Sequence, residues 1–138
     1  MSAQIGALVR GERGQSLVET SLSVPLLALL LVGAYEGARL LLAGIVLQTA
    51  ALAGAEYGAL SAANAADSAG IASAVRGEVS LPQAGPTNPV VVSTTARDAN
   101  DELVVTVRGT FTLTTLVPYP GVPRTFVISR SATLQVRR

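Results

Sequence analysis

One carboxylate, Glu19, lies inside the start of a long apolar run that opens directly after Arg13-Gly14-Gln15-Ser16-Leu17-Val18. A charged side chain at the centre of a membrane span costs roughly 2.5–3.5 kcal/mol, so a carboxylate in such a run needs something that offsets its desolvation. A cut between Gly14 and Gln15 would supply it. Gln15 would then carry a free α-ammonium, and Glu19 would be the fifth residue of the product. Opposite charges ~4 Å apart attract by ~4 kcal/mol at an effective dielectric of ~20, before desolvation is counted. The carboxylate of one helix receiving the amine of a neighbour would fix the axial register between subunits. Burying either charge alone is unfavourable, so pairing favours assembled over free chains. Without such a cut, Glu19 reads as a helix-start carboxylate near the headgroups, favoured by the helix dipole; with it, Gly14 and Gln15 are the candidate processing site and Glu19 the candidate assembly residue.

Other reactive chemistry is sparse. The sequence has no cysteine and no histidine. That removes disulfides, thiolate nucleophiles, Cys/His metal sites and histidine-based triads. There is no GxSxG, no phosphate-binding glycine loop and no pair of carboxylates at helical spacing. Asp98, Asp101 and Glu102 are close enough in sequence to hold a hard cation, but such a run between strands reads as a solvated turn. Glu56 and Tyr57 read as helix-surface residues. No catalytic residue, metal ligand or cofactor is assigned, and the chain is not expected to be an enzyme. All ten basic residues are arginines, scattered along a chain of net charge +1, so no nucleic-acid partner is expected.

The elements that must place Glu19 follow from hydropathy. From Leu17 to Tyr35 the only charge is Glu19, and helix over that stretch would rise about 28 Å at ~1.5 Å per residue, close to the ~30 Å hydrocarbon layer. Arg10 and Arg13 precede it and favour a cytoplasmic N-terminus, which places the rest of the chain outside. Pro25 is tolerable in such a helix when Ser21 or a neighbouring helix satisfies the carbonyl that it frees, and it reads either as a kink alone or as a helix-packing residue. Glu36 and Arg39 are spaced to pair locally. The run Leu40–Leu47 and an Ala/Gly-rich stretch to about Ala63 continue the apolar pattern, giving one helix from about Gln15 to about Ala62. Small residues recur at four-residue spacing, Gly33 with Gly37 and Gly54 with Gly58, and such spacing lets helix backbones approach closely.

Beyond the helix the pattern changes. Asn64 and Asp67-Ser68 offer cap chemistry for a second short helix from about Ala66 to Arg76, ended by Gly77. Pro82–Pro89 is a turn-rich connector. Period-two alternation then predicts three strands. Val90, Val92, Thr94 and Ala96 share a face in the first. Leu103, Val105, Val107, Phe111 and Leu113 mark the second, with Gly109 as a candidate bulge. Phe126, Ile128, Ala132, Leu134 and Val136 mark the third, with Arg130 breaking the face near an edge. Asp98–Asp101 makes the first turn, and Pro118–Pro123 a rigid loop. The fold class is α+β: a long N-terminal transmembrane helix continuing outside the membrane, a short second helix, and a small three-stranded antiparallel sheet packed on the helices. The divisions are a cytoplasmic leader at 1–14, the long helix at 15–64 with its span at about 17–35, and an extracytoplasmic helix-plus-sheet domain at 65–138.

A short basic leader ending in glycine, a cleavage point, a glutamate at the fifth position of the product and an apolar helix together resemble the type IV pilin class. More narrowly, the chain resembles the TadE-like pseudopilins of the tight-adherence (Flp) pilus system. The residues that carry this are Arg13–Glu19, Val24-Pro25-Leu26-Leu27, Gly33–Arg39 and Gln48–Tyr57, about residues 10–60 in all. Thr20 stands where this family commonly has an aromatic residue. The resemblance implies cleavage between Gly14 and Gln15 by a prepilin peptidase. It also implies other pilin or pseudopilin subunits and the inner-membrane assembly machinery as partners, a location in the cytoplasmic membrane or a filament, and a structural role in assembly of a pilus or related secretion filament, with roles in adhesion. Two rivals remain open. Val32-Gly33-Ala34 suits a signal peptidase, which would release a secreted protein beginning at Tyr35. An uncleaved single-pass anchor could carry a small binding domain.

Overall fold

The first half of the chain has one proline between residues 1 and 81, and Ala, Leu, Glu, Gln and Arg fill most other positions. Each of these loses little on entering a helix. The computed structural model describes residues 2–79, 89–118 and 121–137, with side chains from Gly14 onward. Its first element, α1, runs Ser2–Ala59 through Pro25 without interruption. The helix thus starts well before the expected Gln15, because no proline or cap separates the leader from the span. It also stops short of Ala62. Ser61 is extended, and its hydroxyl accepts the Asn64 N–H at 3.1 Å, which starts a new helix, α2, at Ala62–Ala66. Asn64 therefore lies inside α2. Its amide nitrogen donates to the Tyr57 carbonyl at 3.2 Å and so serves the open end of α1.

Asp67 caps α3, Ser68–Glu78, by accepting the Gly70 N–H at 2.9 Å. The cap matches expectation; the end does not. Gly77 lies within the helix, which closes at Val79. Three strands follow, β1 Val90–Arg97, β2 Leu103–Thr114 and β3 Thr125–Gln135, paired antiparallel in the order β1-β2-β3. Residues 80–88 and 119–120 lie outside the described residues, and with them most of the expected Pro82–Pro89 connector and the centre of the Pro118–Pro123 loop. The chain divides into two compact units, Met1–Gly37 and Ala38–Arg138.

In the first unit the side chains from Gly14 to Leu31 are all exposed, with Leu17 at 72 % and Leu22 at 70 %. A helix that is apolar around its whole circumference and covered by nothing is unsuited to water. Its length and composition fit a single-pass membrane anchor.

The second unit has a core. Ala50, Ala51 and Ala55 of α1 and Ile71 and Val75 of α3 close over Val105, Val107, Ala132 and Val136 of the sheet. The two helices are thus the cover that a one-sided sheet requires. Gly109 is not a bulge. The ladder passes through it in register, Val91 opposite Gly109 and Gly109 opposite Arg130. Glycine is needed there because a Cβ would stand 2.7 Å from Leu47 Cδ1. β1 also departs from the simplest reading. Val90, Val92, Thr94 and Ala96 share a face, but it is the outer one, and Val91 and Ser93 are the partly covered pair. Register decides this: Val92 lies opposite Arg108, and residues directly opposite in a ladder project to the same side. Arg130 lies on the edge strand β3, as expected.

Candidate functional site: the helix junction at Gly14–Glu19

Gly14, Gln15 and Glu19 lie on consecutive turns of α1. The space around Gly14 is open, so a Cβ there would meet nothing within 4 Å. The Gln15 side-chain amide donates to Glu19 Oε1 at 3.2 Å, one turn along the helix. Main chain at position 15 and carboxylate at position 19 are thus presented together. The neighbouring hydroxyls turn inward on the backbone. Thr20 donates to the Ser16 carbonyl at 2.9 Å, Ser21 to the Val18 carbonyl at 2.8 Å, and Ser23 to the Glu19 carbonyl at 2.7 Å. Such bonds satisfy a hydroxyl without water. The Ser21 hydroxyl is committed to Val18 and so does not serve the carbonyl that Pro25 frees. After these bonds, the Glu19 carboxylate is the charge left in this segment, with the neutral Gln15 amide as its partner within the helix.

The glycine pairs have different surroundings. Gly33 and Gly37 open onto space, with nothing within 4 Å of a built Cβ. Gly54 and Gly58 are filled from within the fold. A Cβ on Gly54 would stand 2.5 Å from Val75 Cγ2 and 3.2 Å from Val107 Cγ1, and one on Gly58 3.0 Å from Val105 Cγ2. Glu36 is buried at 8 % exposure, and neither it nor Arg39 is without a partner.

The remaining acidic residues build turns. Asp98 Oδ1 accepts the N–H groups of Asn100 at 2.8 Å and Glu102 at 2.9 Å, while Asp101, at φ 61°, pairs with Arg97 at 3.2 Å. Among the described residues no cluster of three or more metal-ligating side chains is gathered. Tyr57 is more than a surface residue. Its hydroxyl donates to Asp67 Oδ2 at 2.9 Å, and both groups crowd Gly70 so closely that a side chain there has no room. The Gly70 N–H, and then the Tyr57 hydroxyl, hold the Asp67 carboxyl below its ordinary range. The same hydrogen bond raises the Tyr57 hydroxyl. Sequence spacing alone did not reveal this knot, because it depends on the break at Leu60–Ser61 that folds α3 back toward the end of α1.

The segment that bears the junction is also the one with a family likeness. Residues 14–56 match the family model described as TadE-like protein. The match begins at Gly14 and takes in Glu19 and both glycine pairs except Gly58. It bears out the resemblance read from Arg13–Tyr57. The TadE-like family is one of structural pilus components and not of enzymes, so the stretch suggests a component related to the Tad pilus. Comparison with curated proteins and with solved structures returns no match.

Proposed function

We propose that this chain is a minor pilin-like subunit of a tight-adherence type IVb pilus or a related secretion filament. A prepilin peptidase cuts it between Gly14 and Gln15. The product is held in the cytoplasmic membrane by residues 17–35, with its N-terminus inside and Ala38–Arg138 outside. The α-ammonium of Gln15 on one subunit then meets Glu19 of another, and Gly33 and Gly37 let the two helices approach. The observation that carries this reading is the position of Glu19. It is a carboxylate one turn after Gly14–Gln15, the one charge in the span, in a stretch where the hydroxyls of Thr20, Ser21 and Ser23 are bonded to the helix's own carbonyls.

Uncut, the chain has a partial answer for Glu19 in the Gln15 amide. A neutral amide is a weaker partner than an ammonium: both bonds have an ionised acceptor, but only the ammonium adds the attraction between opposite charges. Processing therefore converts a tolerable local contact into a strong intermolecular one.

Glu19→Ala tests this. The variant should insert into membranes as well as the parent, because a charge has been removed from lipid. Cross-linking between subunits and incorporation into filaments should fall. Unchanged cross-linking and normal adhesion in that variant would rule out the pairing.

A further inference from the structure

Within Ala38–Arg138, we infer that the free edge of β3 takes the free edge of β1 from a second copy of this chain, in parallel, so that the sheet runs on from copy to copy. This rests on the reading of the chain as an assembling subunit and deepens it, but it uses neither peptidase processing nor the Glu19 pair.

Among the described residues, β1 and β3 each have one side without a strand partner. The ladders continue at Val136, whose N–H donates to the Leu103 carbonyl, and at Asp98, whose N–H donates to the Glu102 carbonyl. Residues bonded to the neighbouring strand alternate with residues that are not. Ser131, Thr133 and Gln135 of β3, and Val91, Ser93 and Thr95 of β1, therefore aim their N–H and C=O groups away from the sheet. Proteins commonly guard such edges with proline or charge. Arg130 guards its own part of β3, where its guanidinium donates to the Ser129 carbonyl at 3.1 Å. Beyond it, Ser131–Gln135 has neither charge nor proline, and nor has Val91–Thr95. Register supplies the fit. Val92, Arg108 and Ser131 lie in one row across the sheet, as do Thr94, Thr106 and Thr133. A second copy set alongside in the same sense, with no axial shift, brings its Val92 beside Ser131 and its Thr94 beside Thr133. In a parallel ladder a residue bonds the two neighbours of the one opposite. Ser131 thus meets the outward groups of the second copy's Val91 and Ser93, and Thr133 those of its Ser93 and Thr95.

The helices agree with this placement. α1 lies over β2 and β3, with Gly54 on Val107 and the Arg130 guanidinium over Gly44, while α3 lies over β1. Alongside, α3 of the second copy comes next to α1. The side of α1 toward β3 carries Glu56, which lines a hollow with Leu134 and Gln135, and Leu52 one turn before it, exposed at 41 %. On α3, Tyr57 of α1 crowds Gly70. Arg76 is about 120° round the helix from Gly70, at ~100° per residue, so it is carried on the exposed side away from its own α1. Ala69, Ala72 and Ser73 share that side and are small enough to admit Leu52. Heights match as well. Val75 packs on Gly54, so Arg76 and Glu56 stand within about one helical turn of the same level. Both are exposed, and among the described residues neither is in an ion pair. Glu78 is exposed too, but it lies about 160° round α3 from Arg76 and faces away from the neighbouring α1. Pairing one edge with a different edge is a head-to-tail contact, which continues from copy to copy as a ring or a filament.

The chain contains no cysteine, so introduced ones report without background. Full-length chain would be expressed in the membranes of cells that lack a pilus system, so that only copies of itself can pair, and then oxidised. Within one chain Val92 and Ser131 flank Arg108, ~9.6 Å apart at ~4.8 Å per strand, too far for a disulfide. Val92→Cys and Ser131→Cys in the same chain should therefore give a ladder of dimers, trimers and longer species, and either cysteine alone should give monomer. Adding Glu56→Arg should weaken the ladder about fivefold, the ~1 kcal/mol at the upper end for an exposed ion pair, and adding Arg76→Glu to that should restore it. Dimers from Ser131→Cys alone would mean that β3 meets β3 and would overturn the proposal, as would a double variant that stays monomeric. Ala34→Cys, in the span, separates this proposal from the reading on which it rests. Cross-linking at 34 without the 92–131 ladder overturns the edge pairing and leaves association through the span; cross-linking at neither overturns both. Should the cysteines unfold the unit, hydrogen exchange on the unaltered chain decides. With many chains per vesicle rather than one per nanodisc, the amides of Ser93, Thr95, Ser131, Thr133 and Gln135 should slow, and equal rates at the two densities would refute the pairing.

Discussion

α1 uses one alphabet for two purposes. From Gly14 to Leu31 its Leu, Val, Ala and Gly are exposed on all sides; after Ala38 one face of the same residue types closes a core. The glycine pairs make the contrast sharpest. Gly33 and Gly37 have the four-residue spacing of Gly54 and Gly58, yet the first pair faces open space and the second is filled by Val75, Val105, Val107 and Ile71. Spacing reports only that something comes close to the backbone. Whether that something is the same chain or another one depends on what the rest of the sequence can fold against it.

The comparison breaks first at Gly54. Gly54→Leu drives a side chain into Val75 and Val107. It should unfold the second unit or cost more than the ~1–3 kcal/mol usual for overpacking, read as a lowered thermal midpoint in detergent. Gly33→Leu, the matched change in the open pair, should leave that midpoint unmoved and reduce association in the membrane instead. An equal loss from both would end the distinction.

Leu47→Ala is next, at ~2–5 kcal/mol for a large-to-small change in a fully covered site. Gly109→Ala alone should cost ~1–3 kcal/mol, because the new methyl meets Leu47. The double variant should lose less than the sum, since the methyl enters the space that Leu47 leaves; a double-mutant cycle in denaturant measures the coupling.

The smallest effect concerns the Tyr57–Asp67–Gly70 knot, and it depends on pH. The folded Asp67 carboxyl lies below its ordinary 3.8. Its contribution is therefore complete above that value and is lost as pH falls through the folded value. The Tyr57 hydroxyl lies above its ordinary 10.0. Its contribution is complete below 10.0 and is lost as pH rises through the folded value. Asp67→Asn keeps a capping side chain but removes the acid-side titration. The stability gap between parent and variant should be flat near neutrality and close below about pH 4, as followed by circular dichroism across a pH series. A gap independent of pH down to 2 would show that the cap alone matters.

Much of this was visible in the sequence, for identifiable reasons. The change from an apolar run to period-two alternation marks the helix-to-strand switch without ambiguity, and three amphipathic strands have only the helices to cover them. At the Gly14–Glu19 junction a lone charge in an apolar run stands out by cost, and the role given to it is the proposal made above. What could not be read was tertiary. Register set by the Asp98–Glu102 turn sends Val90 and Val92 outward. Gly109 is a lone glycine in a strand, which sequence reads equally as a bulge or as a close approach, and only the position of Leu47 decides. The break after α1 is expected from the Asn64 and Asp67 cap chemistry, but Ser61 lies where the apolar pattern runs on, and the role of Tyr57 depends on the break falling there.

The most direct test is the mass of the mature chain recovered from its own cells. A protein beginning at Gln15, with the leader through Gly14 removed, is the predicted result. A functional protein that retains those residues, or one that begins at Tyr35, would contradict it.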